Sequence, residues 1–252
     1  MGKEEEGKMK KHSTLWVAIC SSLILGLAGP AQGFSTSTVT LASSPAWGGQ
    51  HVCLNDLSPV GCPADATRYG FPFAGWTAPR PFGDNWIWLD GVTGDTLGAD
   101  LATASFSQTV ALNGDPISGT FCLAADDFAE LNINGTVVGS VGSTSNVALA
   151  VHAQSTSTCF DVTSFLQPGS NDITVNGQNG PKAFTIFQAT GCTPSCRYRE
   201  NPAGVTFGGT ITLANPTTKE ECKKGGWEQF GFKNQGQCVR FIETRKDSRS
   251  GK

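Results

Sequence analysis

The sequence predicts an all-β fold, two sheets packed as a sandwich, and three observations carry that expectation. Across 117–139, Phe121, Leu123 and Ala125 alternate with Cys122 and Ala124, the period of two expected of a half-buried strand, and the run stops at the pair Asp126-Asp127. A second apolar face, Ala129, Leu131 and Ile133, then leads into Asn134-Gly135, a dipeptide that accepts positive φ at both central positions of a type I′ hairpin turn. Thirty-one glycines, with many Ser, Thr and Asn between short β-branched runs, leave almost no helical periodicity. With a two-residue turn, Ile133 should face Thr136 and Leu131 should face Val138, so the large apolar side chains share one side. A second sheet is the economical cover for that side, and the stretch 34–213 is of ordinary size for one sandwich domain.

Ahead of the sandwich, residues 1–33 read as a secretory signal peptide. Lys8, Lys10, Lys11 and His12 precede an apolar run over 15–28, which ends in Gly29-Pro30-Ala31-Gln32-Gly33. That run is shorter than the roughly 20 residues needed to cross a bilayer, and no later segment approaches that length. A soluble protein, secreted to the extracellular space or the cell surface, is expected.

Eight cysteines follow the signal peptide, at 53, 62, 122, 159, 192, 196, 222 and 238, an even number suited to disulfides in an oxidising compartment. Short separations favour Cys53 with Cys62, Cys192 with Cys196 and Cys222 with Cys238, which leaves Cys122 for Cys159. The chain has no Cys-x-x-Cys pair and only His51 and His152 beyond the signal peptide, so zinc lacks both spacing and ligands. Between 34 and 213 there are 13 acidic and 5 basic side chains; from 214 to 252 there are 5 acidic and 9 basic. The acidic body excludes a nucleic-acid patch of useful size.

Taken in order, 34–44 reads as a first strand, with Val39 and Leu41 among Ser and Thr. From 45 to 81 a long aromatic loop follows, holding Cys53, Cys62, Tyr69, Phe71, Phe73 and Trp76 among glycines and prolines. Strand character resumes at 85–90, with Trp86 and Trp88 on one face. It continues at 103–112, where Asn113-Gly114-Asp115-Pro116 turns the chain directly into the central strand, so that three strands meet near the paired aspartates. Residues 147–152 and 157–162 read as strands, 163–166 as a short helical turn, and 171–176 and 183–189 as strands around a turn-rich joint. A last strand is expected over 205–213. A small module, 214–245, then depends on a bridge between Cys222 and Cys238, because Trp227, Phe230, Phe232 and Phe241 are too little core to stand alone. The tail 246–252 is expected to be disordered.

Trp86-Ile87-Trp88, Phe106, Leu123-Ala-Ala-Asp-Asp-Phe-Ala-Glu-Leu131 with Asn134-Gly135, and Asp161-Val162-Thr163-Ser-Phe-Leu-Gln-Pro-Gly169-Ser-Asn171 together resemble the galactose-binding-like jelly-roll modules over residues 84–190. Such modules accompany many glycoside hydrolases and cell-surface proteins, so the resemblance implies a two-sheet jelly roll that binds carbohydrate. Asp126-Asp127 before a hairpin also resembles the PA14 group of sugar-binding domains, in which adjacent aspartates hold calcium; the resemblance implies Asp126 and Asp127 as metal ligands. The C-terminal stretch 215–241 resembles a short cysteine-containing module at the end of many exported bacterial proteins.

No catalytic set stands out. His51 and His152 do not sit in a Gly-x-Ser-x-Gly setting, and the glycosidase candidates Asp90, Asp126, Asp127 and Glu130 have no separation readable from sequence. Asn134-Gly135-Thr136 has the form of a glycosylation sequon but reads as a hairpin turn. The expected function is therefore non-catalytic binding of a glycan or cell-surface polysaccharide, with a structural surface protein as the alternative and a glycan-acting hydrolase as the weaker one. In the expected site Tyr69 and Trp76 supply rings that stack on sugar C–H groups, Asp126 and Asp127 orient hydroxyls with or without calcium, and Trp86 is a secondary ring.

Overall fold

The computed structural model describes residues 34–43, 47, 51–53, 76–79, 82, 86–89, 92, 94–182 and 196–249. The signal peptide, most of the aromatic loop with Tyr69 and Cys62, Asp90, the strand expected over 183–189 and Cys192 lie outside the described residues. Ten strands, three α-helices and one 3-10 helix (Thr163–Phe165) are described: β1 (Ser35–Ala42), β2 (His51–Cys53), β3 (Ile87–Leu89), β4 (Thr103–Leu112), β5 (Asp115–Asp126), β6 (Phe128–Ile133), β7 (Thr136–Gly142), α1 (Val147–Ser155), β8 (Thr158–Asp161), β9 (Gly169–Gln178), β10 (Gly204–Asn215), α2 (Gly226–Gln229) and α3 (Gln235–Thr244).

They form the all-β sandwich that the sequence pattern implies. One sheet has six strands in the order β2-β3-β10-β5-β8, with β1 also paired to β10; the other has four in the order β4-β9-β6-β7. Every pairing is antiparallel. From β4 onward the chain changes sheet at each connection except the β6–β7 hairpin. That alternation sets the inner faces of both sheets against each other, and the aromatic residues fill the gap. Trp47 meets Phe207 edge-on at 4.8 Å, Phe207 lies 6.0 Å from Phe121 and 6.1 Å from Phe106 on the opposite sheet, and Phe106 continues to Trp88 at 6.4 Å. Rings at these separations gain edge and offset contacts beyond the area they bury.

Three expectations about the elements change. The Asn113-Gly114 turn does not return β4 onto β5: β4 pairs with β9 in the four-stranded sheet, while β5 pairs with β10 along nearly its whole length. Gly114 permits the crossing, since a Cβ there would stand 2.7 Å from the Ala214 carbonyl. In the β6–β7 hairpin Ile133 does face Thr136, but the register shifts and Leu131 faces Gly139 instead of Val138. This bulge brings a residue without a side chain under the Phe160 ring, whose carbon a Cβ on Gly139 would overlap. Residues 147–152 fold as the helix α1 and not as a strand. Asn146 caps it, its Oδ1 accepting from the N–H groups of Ala148 and Leu149, and the alanines favour the helix although Val147, Leu149 and Val151 mimic a period of two.

Cys122 and Cys159 stand directly opposite each other in the β5–β8 ladder and form a disulfide, and Cys222 is bonded to Cys238. Cys196 is disulfide-bonded as well. Beyond β10, Ala214, Cys222, Phe230, Phe232 and Cys238 make a second small core. Where a disordered tail was expected, Arg249 is packed in: its guanidinium lies 4.3 Å from the Phe232 ring centre and donates to Phe230 O, Asn215 Oδ1 and Asp247. Four of its five N–H groups are thereby engaged, which straps the module to the end of β10.

The Cys122–Cys159 bridge closes a loop with a sequence separation of 37, which the loop-entropy account values at about 4 kcal/mol. Replacing both cysteines with alanine should lower the unfolding free energy by about that amount in urea titrations, with the β-sheet circular dichroism retained.

Candidate functional site

The sequence-predicted residues converge where the chain leaves the six-stranded sheet for the four-stranded one. β5 ends at Asp126 and β6 begins at Phe128, so Asp126-Asp127, joined by a cis peptide bond, is the whole connection between sheets. Both carboxyl groups are buried, at 4% and 3% exposure. Four oxygens removed from water must find donors, and each has one. Asp126 Oδ2 accepts from Trp76 Nε1 at 2.7 Å, Asp126 Oδ1 from Gln154 Nε2 at 2.6 Å, Asp127 Oδ1 from the same Gln154 nitrogen at 3.1 Å, and Asp127 Oδ2 from Gly180 N at 2.7 Å.

Each donor is itself held. Gln154 sits in the last turn of α1, and its carbonyl accepts from the N–H groups of Thr77 and Ala78, next to Trp76. The Trp76 ring stacks on Trp86 at 4.6 Å with a 14° interplanar angle, and Trp86 is 1% exposed. Gly180 follows Asn179, whose side chain donates to Ala99 O and Asn201 O; Asn201 in turn donates to Gly180 O. On the other side Gly142, at φ +76°, lets Ser143 N donate to the Asp127 carbonyl at 3.1 Å; any Cβ there would overlap that carbonyl.

Burial pushes the Asp126 carboxyl well above the usual carboxylate range, and the neighbouring Asp127 charge pushes it further. Burial also raises Asp127, against the hydrogen bonds it accepts from Asp126, Gly180 and Gln154. The two carboxyl groups therefore titrate as one pair, whose burial and mutual repulsion favour the protonated form. As arranged, the described residues do not fit calcium. A calcium ion takes about six to eight oxygens, whereas here all four carboxyl oxygens face N–H groups and the Gln154 amide nitrogen lies where a bridging cation would sit. Among the described residues no three His, Cys, Asp or Glu side chains come together.

This cluster unites Trp76, Trp86, Asp126 and Asp127 as predicted, but as an inward-facing joint. Trp86 keeps no free ring face for a ligand. Tyr69 lies outside the described residues. Among the acid candidates, Glu130 is on the outer face of the four-stranded sheet, bonded to Asn132, and the exposed His152 is on α1.

That outer face holds residues that the sequence reading passed over. Across the β4-β9-β6 register lie Thr103, Gln178 and Phe128 in one row, Ser105, Asn176 and Glu130 in the next, and Ser107, Thr174 and Asn132 in the third. At the first two rows, with Leu89 beside them, opens a cleft of about 350 Å³. Ser105 Oγ donates to Asn176 Oδ1 at 2.8 Å, which fixes the Asn176 side chain within its row. The alternation of β4 and β9 signals a polar face, but only the register decides which polar residues are neighbours.

Comparison with protein-family models and with curated proteins finds no match. Among solved structures, the α-L-rhamnosidase of Streptomyces avermitilis, complexed with L-rhamnose, is 20% identical over 56% of this chain and 12% of that chain, with a TM-score of 0.36. The β-glucuronidase of Ruminococcus gnavus is 10% identical over 73% of this chain and 30% of its own, at 0.38, and that of Bacteroides uniformis is 18% identical over 73% and 18%, at 0.32. The chain thus spans less than a third of the length of each, and likenesses this slight decide neither fold nor function.

Because the folded protein holds the Asp126 proton more tightly than the unfolded chain does, the stability the pair contributes is complete below the ordinary carboxylate range and is lost as pH rises through the elevated value. The melting temperature should fall on the alkaline side in wild type, and Asp126→Asn, which cannot ionise, should flatten that fall in a pH series of thermal melts. In the same assay, adding calcium or removing it with a chelator should leave the melting temperature unchanged.

Proposed function

We propose that the protein is an exported, non-catalytic carbohydrate-binding module that holds a glycan on the outer face of its four-stranded sheet. The observation that carries this reading is the cleft at Phe128, where an aromatic ring stands among the side chains of Gln178, Asn176, Thr103 and Ser105. A sugar presents apolar C–H patches flanked by hydroxyls. A ring suits the first, and amide and hydroxyl groups with both donors and acceptors suit the second. The next row, Ser107, Thr174 and Asn132, extends the polar surface along the sheet, so that a chain of sugars has a track and not only a single pocket.

Absence of catalysis is part of the proposal. Glycoside hydrolysis uses two opposed carboxyl groups about 5 to 9.5 Å apart across the scissile bond. Asp126 and Asp127 are adjacent, buried and fully engaged, so neither reaches a substrate, and Glu130 is the acid of its row on the sheet face. Export agrees with the disulfides at Cys122–Cys159 and Cys222–Cys238, and no helix among the described residues is long and apolar enough to cross a membrane.

Glycan arrays and polysaccharide pull-downs test the reading. Wild type should bind a defined subset of glycans, and Phe128→Ala or Gln178→Ala should weaken that binding roughly tenfold or more, about 1.4 kcal/mol, with the melting temperature close to wild type in the Gln178 variant. Wild type that binds no glycan, or folded variants that both bind as wild type does, would refute the assignment.

A further inference from the structure

We infer that β1 is a docking edge through which two copies of this chain pair, antiparallel and about a twofold axis at Thr38, into one continuous sheet. The inference is independent of the glycan surface, which lies on the other sheet. β1 is eight residues long and lies on β10 in a regular antiparallel register, Ser35 opposite Asn215 through Ala42 opposite Gly208. The next residue, Ser43, donates its N–H to Phe207 O at 2.7 Å. In an antiparallel ladder the residues that exchange bonds with a given neighbour alternate, so the odd-numbered residues of β1 face β10. The N–H and C=O groups of the even-numbered residues face away from it. Ala42 bears this out: its carbonyl accepts from Trp47 Nε1 at 2.9 Å. Thr36, Thr38 and Thr40 make up the rest of that outward set, and among the described residues their backbone groups have no hydrogen-bond partner.

Soluble proteins usually blunt such an edge with charge, proline or a bulge. Ser-Thr-Ser-Thr-Val-Thr-Leu-Ala has neither charge nor proline, and its pairing with β10 runs without a register shift. A second copy is the occupant that the geometry favours. The outward set is symmetric about its middle: with Thr38 opposite the partner's Thr38, Thr36 meets the partner's Thr40, and each such pair exchanges two N–H···O bonds. This register also keeps the sheet faces in phase. The exposed Thr36, Thr38 and Thr40 side chains of both copies fall in one row, where Thr–Thr pairs are favourable, and Val39 and Leu41 stay on the core side. The absence of charge in the strand matters as well, because two like strands then meet without repulsion at the seam even though the body carries an acidic excess.

Sedimentation equilibrium on the purified protein tests this, with Thr38→Pro and Thr38→Lys as variants. Proline removes an N–H that the β10 ladder does not use, so the fold should persist, and lysine places like charges at the twofold axis. Wild type should show a concentration-dependent mass of two chains. Each variant should associate roughly 100-fold more weakly, with circular dichroism unchanged. A wild-type mass of one chain at every concentration overturns the inference, and so does a folded variant that dimerises as tightly as wild type. Should the proline variant fail to fold, the lysine variant decides.

Discussion

Two carboxyl groups taken out of water at one chain crossing are the constraint on which most of this structure depends. Asp126 and Asp127 link the six-stranded sheet to the four-stranded one with no intervening loop, so the joint lies inside the protein. Unpaired acids there would cost several kcal/mol. The fold meets that demand with three donor groups drawn from separate parts of the chain: Trp76, Gln154 at the end of α1, and Gly180 after β9. The role of α1 follows from this. Its apolar residues are largely exposed, and what it contributes to the sandwich is Ala150, Ala153 and the amide of Gln154.

The same crossing turns the expected sugar site inward. Trp76, Trp86 and the aspartates look like a sugar site in sequence because rings and acids are what sugars need. Here those groups are turned toward each other, and a ring stacked on a ring has no face left on that side for a ligand. The sheet face opposite the core is built on other principles. Polar side chains on it are held by bonds along the rows, such as Thr109 Oγ1 to Asp172 and Ser105 Oγ to Asn176, so the proposed glycan would order little that is not already ordered.

At the far end the C-terminal module shows how a small core can be attached economically. The Cys222–Cys238 bridge limits the unfolded chain, Phe232 and Phe241 pack at 5.5 Å, and Arg249 lies over both rings while bonding back to Asn215 at the end of β10. An arginine performs this role well because its planar head stacks and forms hydrogen bonds at the same time. Gln229 adds a second link, its Nε2 donating to Asp115 Oδ2 of β5 at 3.3 Å.

Local pattern by itself determined the fold class, the Asn134-Gly135 hairpin and the pairing of Cys122 with Cys159, since a period of two, a turn dipeptide and a cysteine spacing are all written in consecutive residues. Tertiary structure alone decided the rest. That 147–152 is a helix depends on a cap at Asn146 and on which alanines are buried, and a run of alternating small and branched residues cannot report either. That Asn113-Gly114 sends the chain to the other sheet depends on β10 and β8 occupying both edges of β5. The aspartates and Trp76, 50 residues apart, face inward because Gln154 and Gly180 reach them from elements that lie far along the chain. Sequence names the groups that need partners; only packing brings those partners within bonding distance.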